Sequence, residues 1–456
     1  MIMNAYPVFL LMWLFLVPGN NTQHQLTLHE TASPEAKTHF EKGLLLLHNF
    51  EYADAAEEFI LAQQQDPDFA MAYWGEAMTY DHPVWRDLDI EKSRAALKKF
   101  GESPEKRIAK GKTDLEKDFI QGVEILFGEG SKPDREKMYA DHMSRLYTKY
   151  PNNHDVAAFY ALSLLAIKKG WNEWEDYNVK AADITNKILN ENPNHAGALH
   201  YLVHADDHPR YAHQGLAAAD KYAKVASYAG HALHMPSHIY LALGMWDDVV
   251  RSNEVSWQAG IDRKQKKGLD NDELNYHAHL WLSYGYLQQG RFQRAKELIE
   301  NQVKYTNELP SARARVYLME MKGHYLVHTN DWNSSLAALP IKTDDLAVGV
   351  QYTAKLLEGY QLFHGKKTVE LERLIDDFAK ELVKASQLQK ANEDVAICGV
   401  ARYANAIPTK GEVERGDKYL KQLSGLRAWL LKDMPAAENY IKESLFKEGS
   451  VVVGPP

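Results

Sequence analysis

The feature that most constrains this chain is a recurring spacing of small, bulky and proline residues inside an almost unbroken helical pattern. From about residue 34 onward apolar side chains recur with the period of a helix, and no stretch shows the two-residue alternation of a half-buried strand. Counted from Ala36 as position 1, Gly43, Tyr52, Ala55, Phe59, Ala62 and Pro67 fall at positions 8, 17, 20, 24, 27 and 32. Small residues at 8 and 20 let two helices of one unit approach closely, while bulky ones at 17 and 24 fill the gap to the next unit. Such a unit cannot bury its apolar face alone, so it must stack on neighbours. Further units start at Ala70, near His154, at Ala196 and at Gly230, the last two 34 residues apart, then near Tyr276, Val316 and Lys418. Tyr52, Trp246, Phe292 and Trp332 share position 17 and are expected in the core.

These positions resemble the tetratricopeptide repeat, and the resemblance implies an all-α, TPR-like α-solenoid: a right-handed superhelix of antiparallel helix pairs with the first helix of each pair on the concave face. The organisation read on that frame is a leader at 1–19, a linker at 20–33, N-terminal units at 34–85, and an irregular helical insertion at 86–153. Central histidine-rich units follow at 154–340, C-terminal helical repeats at 341–446 and a tail at 447–456. The family's carboxylate clamp uses Lys and Asn at positions 2, 5, 6 and 9, but position 5 here carries Phe40, Trp74, His200 and His234, so that function does not carry over. The segment from His195 to Arg210 and the one from Tyr228 to Glu254 also resemble a group of exported bacterial tetratricopeptide proteins. That likeness implies the fold and an extracytoplasmic location, and no mechanism.

Composition narrows the chemistry. The 456 residues carry a formal charge of −9, one cysteine and twenty histidines. A single cysteine, Cys398, forbids an intramolecular disulfide and a thiolate metal cage, so imidazole and carboxylate must carry any metal or acid–base chemistry. The acidic balance argues against nucleic acid as a partner. Met1 to Gly19 contain no charge, and the apolar run from Tyr6 to Val17 suits the core of a secretory signal cleaved before Asn20. An uncleaved run would act as a membrane tether. Asn20-Asn21-Thr22 and Asn333-Ser334-Ser335 match the glycosylation sequon, which matters only in a eukaryote.

The histidines gather on the repeat frame. Position 13 holds His48, His82, His208 and His328; position 9 holds His204, His238 and His324; position 5 holds His200 and His234. These positions are i, i+4 and i+8 on one helix, so they share a face that looks into the groove. Asp81-His82-Pro83 and Asp207-His208-Pro209 both occupy positions 12 to 14, where proline stops the helix and leaves Asp and His at its C-terminal end. Residues 195–238 contain eight histidines, against about two expected by composition. His200 and His204, then His234 and His238, are i, i+4 pairs that can reach one metal ion, with His231 just before. Asp206, Asp207 and Glu254 are candidate supporting carboxylates. Pro236 falls inside the expected helix, so the helix is expected to begin there, with His231 and His234 on the loop before it.

Two readings stand. The leading one is an exported binding scaffold that holds a peptide, protein or small ligand in a groove lined by Trp74, His82, Trp85, His208, His324 and His328. The alternative is a zinc or copper metalloprotein, possibly an enzyme, using His200, His204, His231, His234 and His238. Enzyme templates are not met. His200-Tyr201-Leu202-Val203-His204 lacks the glutamate of a zincin, Gly111-Lys112-Thr113 lacks the first glycine of a phosphate loop, and no G-x-S-x-G elbow occurs. The basic run Arg263-Lys264-Gln265-Lys266-Lys267 falls in an excess of twelve residues between units and reads as a solvated loop.

Overall fold

The computed structural model of the chain describes residues 28, 31–167, 174–391, 403–404, 407–445 and 455. The expected leader, most of the 20–33 linker, the first sequon, Cys398 and all of the tail but Pro455 lie outside the described residues.

Helix pairs stack along the described chain. The first half comprises α1 (Pro34–His48), α2 (Tyr52–Gln65), α3 (Ala70–Met78), α4 (Ile90–Phe100), α5 (Pro104–Lys110), α6 (Asp114–Leu126), α7 (Lys132–Lys149), α8 (His154–Ile167) and α9 (Trp174–Glu191). The second comprises α10 (Ala196–Asp206), α11 (Ala212–Val225), α12 (Gly230–His234), α13 (Pro236–Ala242), α14 (Trp246–Lys267), α15 (Tyr276–Gln288), α16 (Phe292–Glu308), α17 (Ala312–Thr329), α18 (Val348–His364), α19 (Thr368–Ala391), α20 (Lys410–Leu430) and α21 (Met434–Ser444). Most pack on their nearest or next-nearest neighbours in the chain, the pattern of an all-α solenoid with a TPR-like arrangement. No helix among the described residues is long and apolar enough to cross a membrane.

The repeat spacing works as its sterics require. Gly43 of α1 and Gly75 of α3 both abut the Phe59 ring of α2, and a Cβ added at Gly75 would lie 2.4 Å from that ring. The buried aromatics Phe40, Phe59 and Phe69 interlock beside them. Tyr52 and Trp332 are buried as expected, but Phe292 is exposed and Trp246 only half-buried. Both stand, like Tyr52, at the first residue of a second helix, so that position alone does not bury the side chain.

Three local expectations change. A two-residue antiparallel bridge, Asp81–His82 with Asp87–Leu88, follows α3, too short for alternation to signal. His231 and His234 are helical rather than on a loop. Met235 keeps right-handed helical angles (φ −53°, ψ −37°), so α12 and α13 meet as a bent pair, with Pro236 in the first turn of α13 where its missing N–H is harmless. The basic run is the last turn of α14, not a loop. Arg263 and Lys267 there form ion pairs with Asp54 of α2, at 2.6 and 2.9 Å, and Lys267 with Glu57 at 2.7 Å.

That contact belongs to a larger closure. The first helix pair lies against the histidine-rich units: Asn49 Oδ1 accepts from the Tyr222 hydroxyl at 2.8 Å, and Glu51 Oε1 accepts the His231 N–H at 2.9 Å. The end of α1 and the start of α2 therefore lie over the central units, near α10 to α14.

Asp81 is 4 % exposed, and its Oδ1 and the Tyr139 hydroxyl have no hydrogen-bond partner among the described residues. Both line a cavity of about 20 Å³ with Met78, Leu126 and Phe159, room for about one water. Burial pushes the Asp81 carboxyl up to about 7, against the pull of the Lys132 ammonium. A carboxyl raised in the folded state favours folding most when protonated, so its contribution is lost as pH rises from about 4 to about 7. Asp81→Asn should therefore gain on the wild type by roughly 1–3 kcal/mol between pH 4.5 and pH 8 in urea unfolding. A pH-independent difference would contradict this placement.

Candidate metal centre

Three successive first helices supply the imidazoles. On α10, His200 and His204 are one helical turn apart; on α12 and α13 stand His231, His234 and His238; on α15 stands His277. These six sort into two triads, His200–His204–His231 and His234–His238–His277, in each of which one ring nitrogen per residue lies within 4.8 Å of the others. The two i, i+4 pairs thus do not converge on one ion. Each recruits a third histidine from the following unit.

The hydrogen bonds fix which nitrogens carry protons. His200 Nδ1 is 2.6 Å from the His48 carbonyl oxygen, which can only accept, so Nδ1 holds the hydrogen and Nε2 presents a lone pair. His234 Nδ1 is 2.6 Å from Asn253 Oδ1. Asn253 Nδ2 donates to the Val249 carbonyl at 2.8 Å, so its oxygen is the atom facing His234, with Ser237 Oγ a longer contact at 3.4 Å. His238 Nδ1 is 2.7 Å from the Asp207 carboxylate. His234 Nε2 and His238 Nε2 then confront each other at 3.1 Å, acceptor to acceptor. Around His200, the Nε2 atoms of His204 and His231 both lie 3.1 Å from its Nε2, and one lone pair serves at most one donor well.

A proton on His200, His231 or His234 is disfavoured as a way out of the conflict. Burial pushes His200 and His234 down to about 3, and burial together with the surrounding imidazoles holds His231 well below the usual histidine range. His200, His231 and His234 are thus held neutral near pH 7, with the Nε2 lone pairs of His200 and His234 turned toward the neighbouring rings. That is the arrangement of metal ligands whose outer nitrogens are oriented by a carbonyl, an amide and a carboxylate.

A third group, His48–Asp155–His195, is also close enough to hold an ion, but its protons match. His195 Nδ1 accepts the Ala198 N–H at 3.2 Å, which leaves its Nε2 as the donor atom, 3.3 Å from Asp155 Oδ1. His48 Nε2 is 3.1 Å from the same oxygen, and its Nδ1 is 2.9 Å from the Tyr201 hydroxyl. Burial alone would raise the Asp155 carboxyl, yet the two histidines hold it well below the usual range. His48 Nε2 faces the carboxylate as donor to acceptor, and His195 Nε2 lies near the same oxygen outside hydrogen-bond geometry. The group anchors the end of α1, whose His48 carbonyl orients His200.

Aromatic rings wall the triads. Phe50 stacks on His204 and His231 at 5.7 and 5.6 Å, Trp85 stands edge-on to His231 at 5.3 Å, and Trp281 lies 4.3 Å from His238 and 5.1 Å from His234. Trp85 is 39 % exposed and flanks the first triad. His82 stacks on Tyr52 at 4.0 Å beside it. Trp74, by contrast, is fully buried between Phe119 of α6 and Phe159 of α8 and offers no face to a groove. His208 accepts the Arg210 N–H within its own turn, and His324 and His328 sit on α17 against Tyr284, so these three are not part of either triad. Of the expected carboxylates, Asp207 reaches the site; Glu254 accepts from Tyr286, and Asp206 is buried against Gly215.

His277 was not expected. Counted from Tyr276 it holds position 2, as His231 does counted from Gly230. Positions 2, 5 and 9 are i, i+3 and i+7, one face of a helix. Both triads therefore follow one rule, positions 5 and 9 of a unit with position 2 of the next. A frame extended to position 2 would have found it.

No protein-family model matches the chain, and no curated protein matches it. Among solved structures, yeast Tom70 is similar over 90 % of this chain and 91 % of its own, at 12 % identity and a TM-score of 0.37. The TPR domain of P58(IPK) is similar over 90 % of this chain and 99 % of its own, at 15 % identity and a TM-score of 0.18. The molecule is an all-α solenoid of TPR-like build that carries two imidazole triads.

Gly197 tests the anchoring of α1 on α10. A Cβ there would lie 2.3 Å from His48 Nδ1, whereas at exposed Gly411 nothing lies within 4 Å. Gly197→Ala should destabilise by about 1–3 kcal/mol through overpacking, and Gly411→Ala should be neutral or mildly stabilising. Thermal unfolding distinguishes the two; equal effects would contradict the packing of His48.

Proposed function

We propose that this chain is a metalloprotein whose two imidazole triads hold transition-metal ions. The single observation that carries this reading is the convergence of Nε2 atoms at 3.1 Å, with the Nδ1 hydrogens of His200, His234 and His238 already engaged outward. A cation between the rings turns that convergence into coordination. Imidazole-only sets suit zinc or copper. Three protein nitrogens leave a coordination position open, as in catalytic rather than structural sites, which supports an enzyme acting on a ligand bound there. His200, His204 and His231 would hold one ion and His234, His238 and His277 the other, with Asp207, Asn253 and the His48 carbonyl fixing ring orientation.

The scaffold reading, a peptide or protein held in the concave groove, has the TPR-like architecture in its favour and Trp85 and His82 as exposed or half-exposed rings. The cover formed by α1 and α2 over the central units favours a small ligand there instead. We further propose export, on the uncharged apolar run at Met1–Gly19 and the likeness to exported bacterial tetratricopeptide proteins. N-terminal sequencing of the mature protein should begin at Asn20; an intact Met1 would mean a retained tether or no export.

Elemental analysis of tag-free protein purified without chelator, followed by zinc and copper titration, tests the metal reading. At least one equivalent of metal is expected. Less than a tenth of an equivalent with no uptake would overturn it. His204→Ala should reduce affinity by at least tenfold while far-ultraviolet circular dichroism stays unchanged, since this residue's ring lies at the edge of the core.

A further inference from the structure

The two triads are mechanically one object. His231 of the first and His234 of the second are on the same five-residue helix α12, with ring centres 6.3 Å apart. Across the gap, His204 and His238 are also 6.3 Å apart. Asp207, the cap residue of the helix that carries His200 and His204, orients His238 of the other triad. Neither set can shift without moving the other.

Charge gives the second strand of the argument. All six candidate ligands are imidazoles, and no carboxylate stands among them. Two divalent ions would bring four positive charges into a set made of imidazoles alone. The acidic groups at hand are Asp207, on the outer nitrogen of His238, and Glu51, on the His231 backbone N–H. Buried charge needs compensation, and three-nitrogen coordination leaves an open position on each ion. A small anion shared by both ions meets both demands at once.

We infer that the two triads form a single binuclear metal centre whose open positions face each other and take one small bridging anion of the hydroxide or azide class. This rests on the reading that the triads bind metal at all. The exchange is a ligand substitution: a bound water or hydroxide leaves as the anion enters, and no electron is transferred.

Copper(II) loading of the full chain tests it. Dialysis should leave two copper ions per chain, and paramagnetic resonance should integrate to well under half of two spins because a bridged pair is coupled. Azide should titrate to one equivalent per two copper ions. His277→Ala should hold one copper with a full mononuclear signal, and its azide affinity should fall more than tenfold. The wild-type spectrum is decisive without the variant. Two copper ions that integrate to two spins, with or without azide, or a single copper per chain, would overturn the binuclear centre while leaving metal binding intact. No copper uptake would overturn both.

Discussion

Lone pairs that face each other at 3.1 Å inside a protein demand a reason, because two acceptors at that distance repel unless a cation stands between them. Here the demand is built in by partners that cannot change roles. A backbone carbonyl fixes the hydrogen of His200, an amide whose nitrogen is itself engaged fixes that of His234, and a carboxylate fixes that of His238. The rest of the central architecture serves to hold those outer partners. The His48 carbonyl is in place because α1 closes on α10, and that closure depends on Gly197 leaving room for the His48 ring and on Asp155 gathering His48 and His195.

Repetition explains how two such sites arise side by side. A tandem unit places its first helix in the same relation to its successor each time, so residues at positions 5 and 9 meet position 2 of the next unit wherever the stack is regular. The rule holds across α10 to α15 although α14 is longer than α11 and α16, because the added length extends beyond the site and pairs with α2 instead. The following step breaks it. Leu280 and Tyr284 occupy positions 5 and 9, and Tyr317 occupies position 2, so the stack continues with apolar contacts where the previous two units place imidazole.

Much of this was legible in the sequence, and the illegible parts have physical causes. Helix pairing follows from local spacing, and Gly43 with Phe59 shows the expected close approach. His200 with His204 and His234 with His238 are readable because one helical turn separates them. His277 escaped because a frame built on positions 5, 9 and 13 passes over the turn that precedes them. The covering of the central units by α1 and α2 could not be read, since it joins residues such as Asp54 and Arg263 that no periodicity links. The helical residues before Pro236 depart from the sequence pattern because proline normally disfavours a helical residue before it. Met235 keeps that conformation in a fully buried setting, where packing outweighs the local preference. Trp74 shows the reverse: its position on the helix was right, but Phe119 of α6 and Phe159 of α8 bury it.

The central claim concerns what lies between the Nε2 atoms, and X-ray absorption at the metal edge of the loaded protein reads that environment directly. The expected result is a first shell of nitrogen at about 2.0–2.1 Å with the outer-shell scattering of about three imidazoles per ion. A shell dominated by oxygen, with less than one imidazole per ion, would place the metal elsewhere and contradict the account.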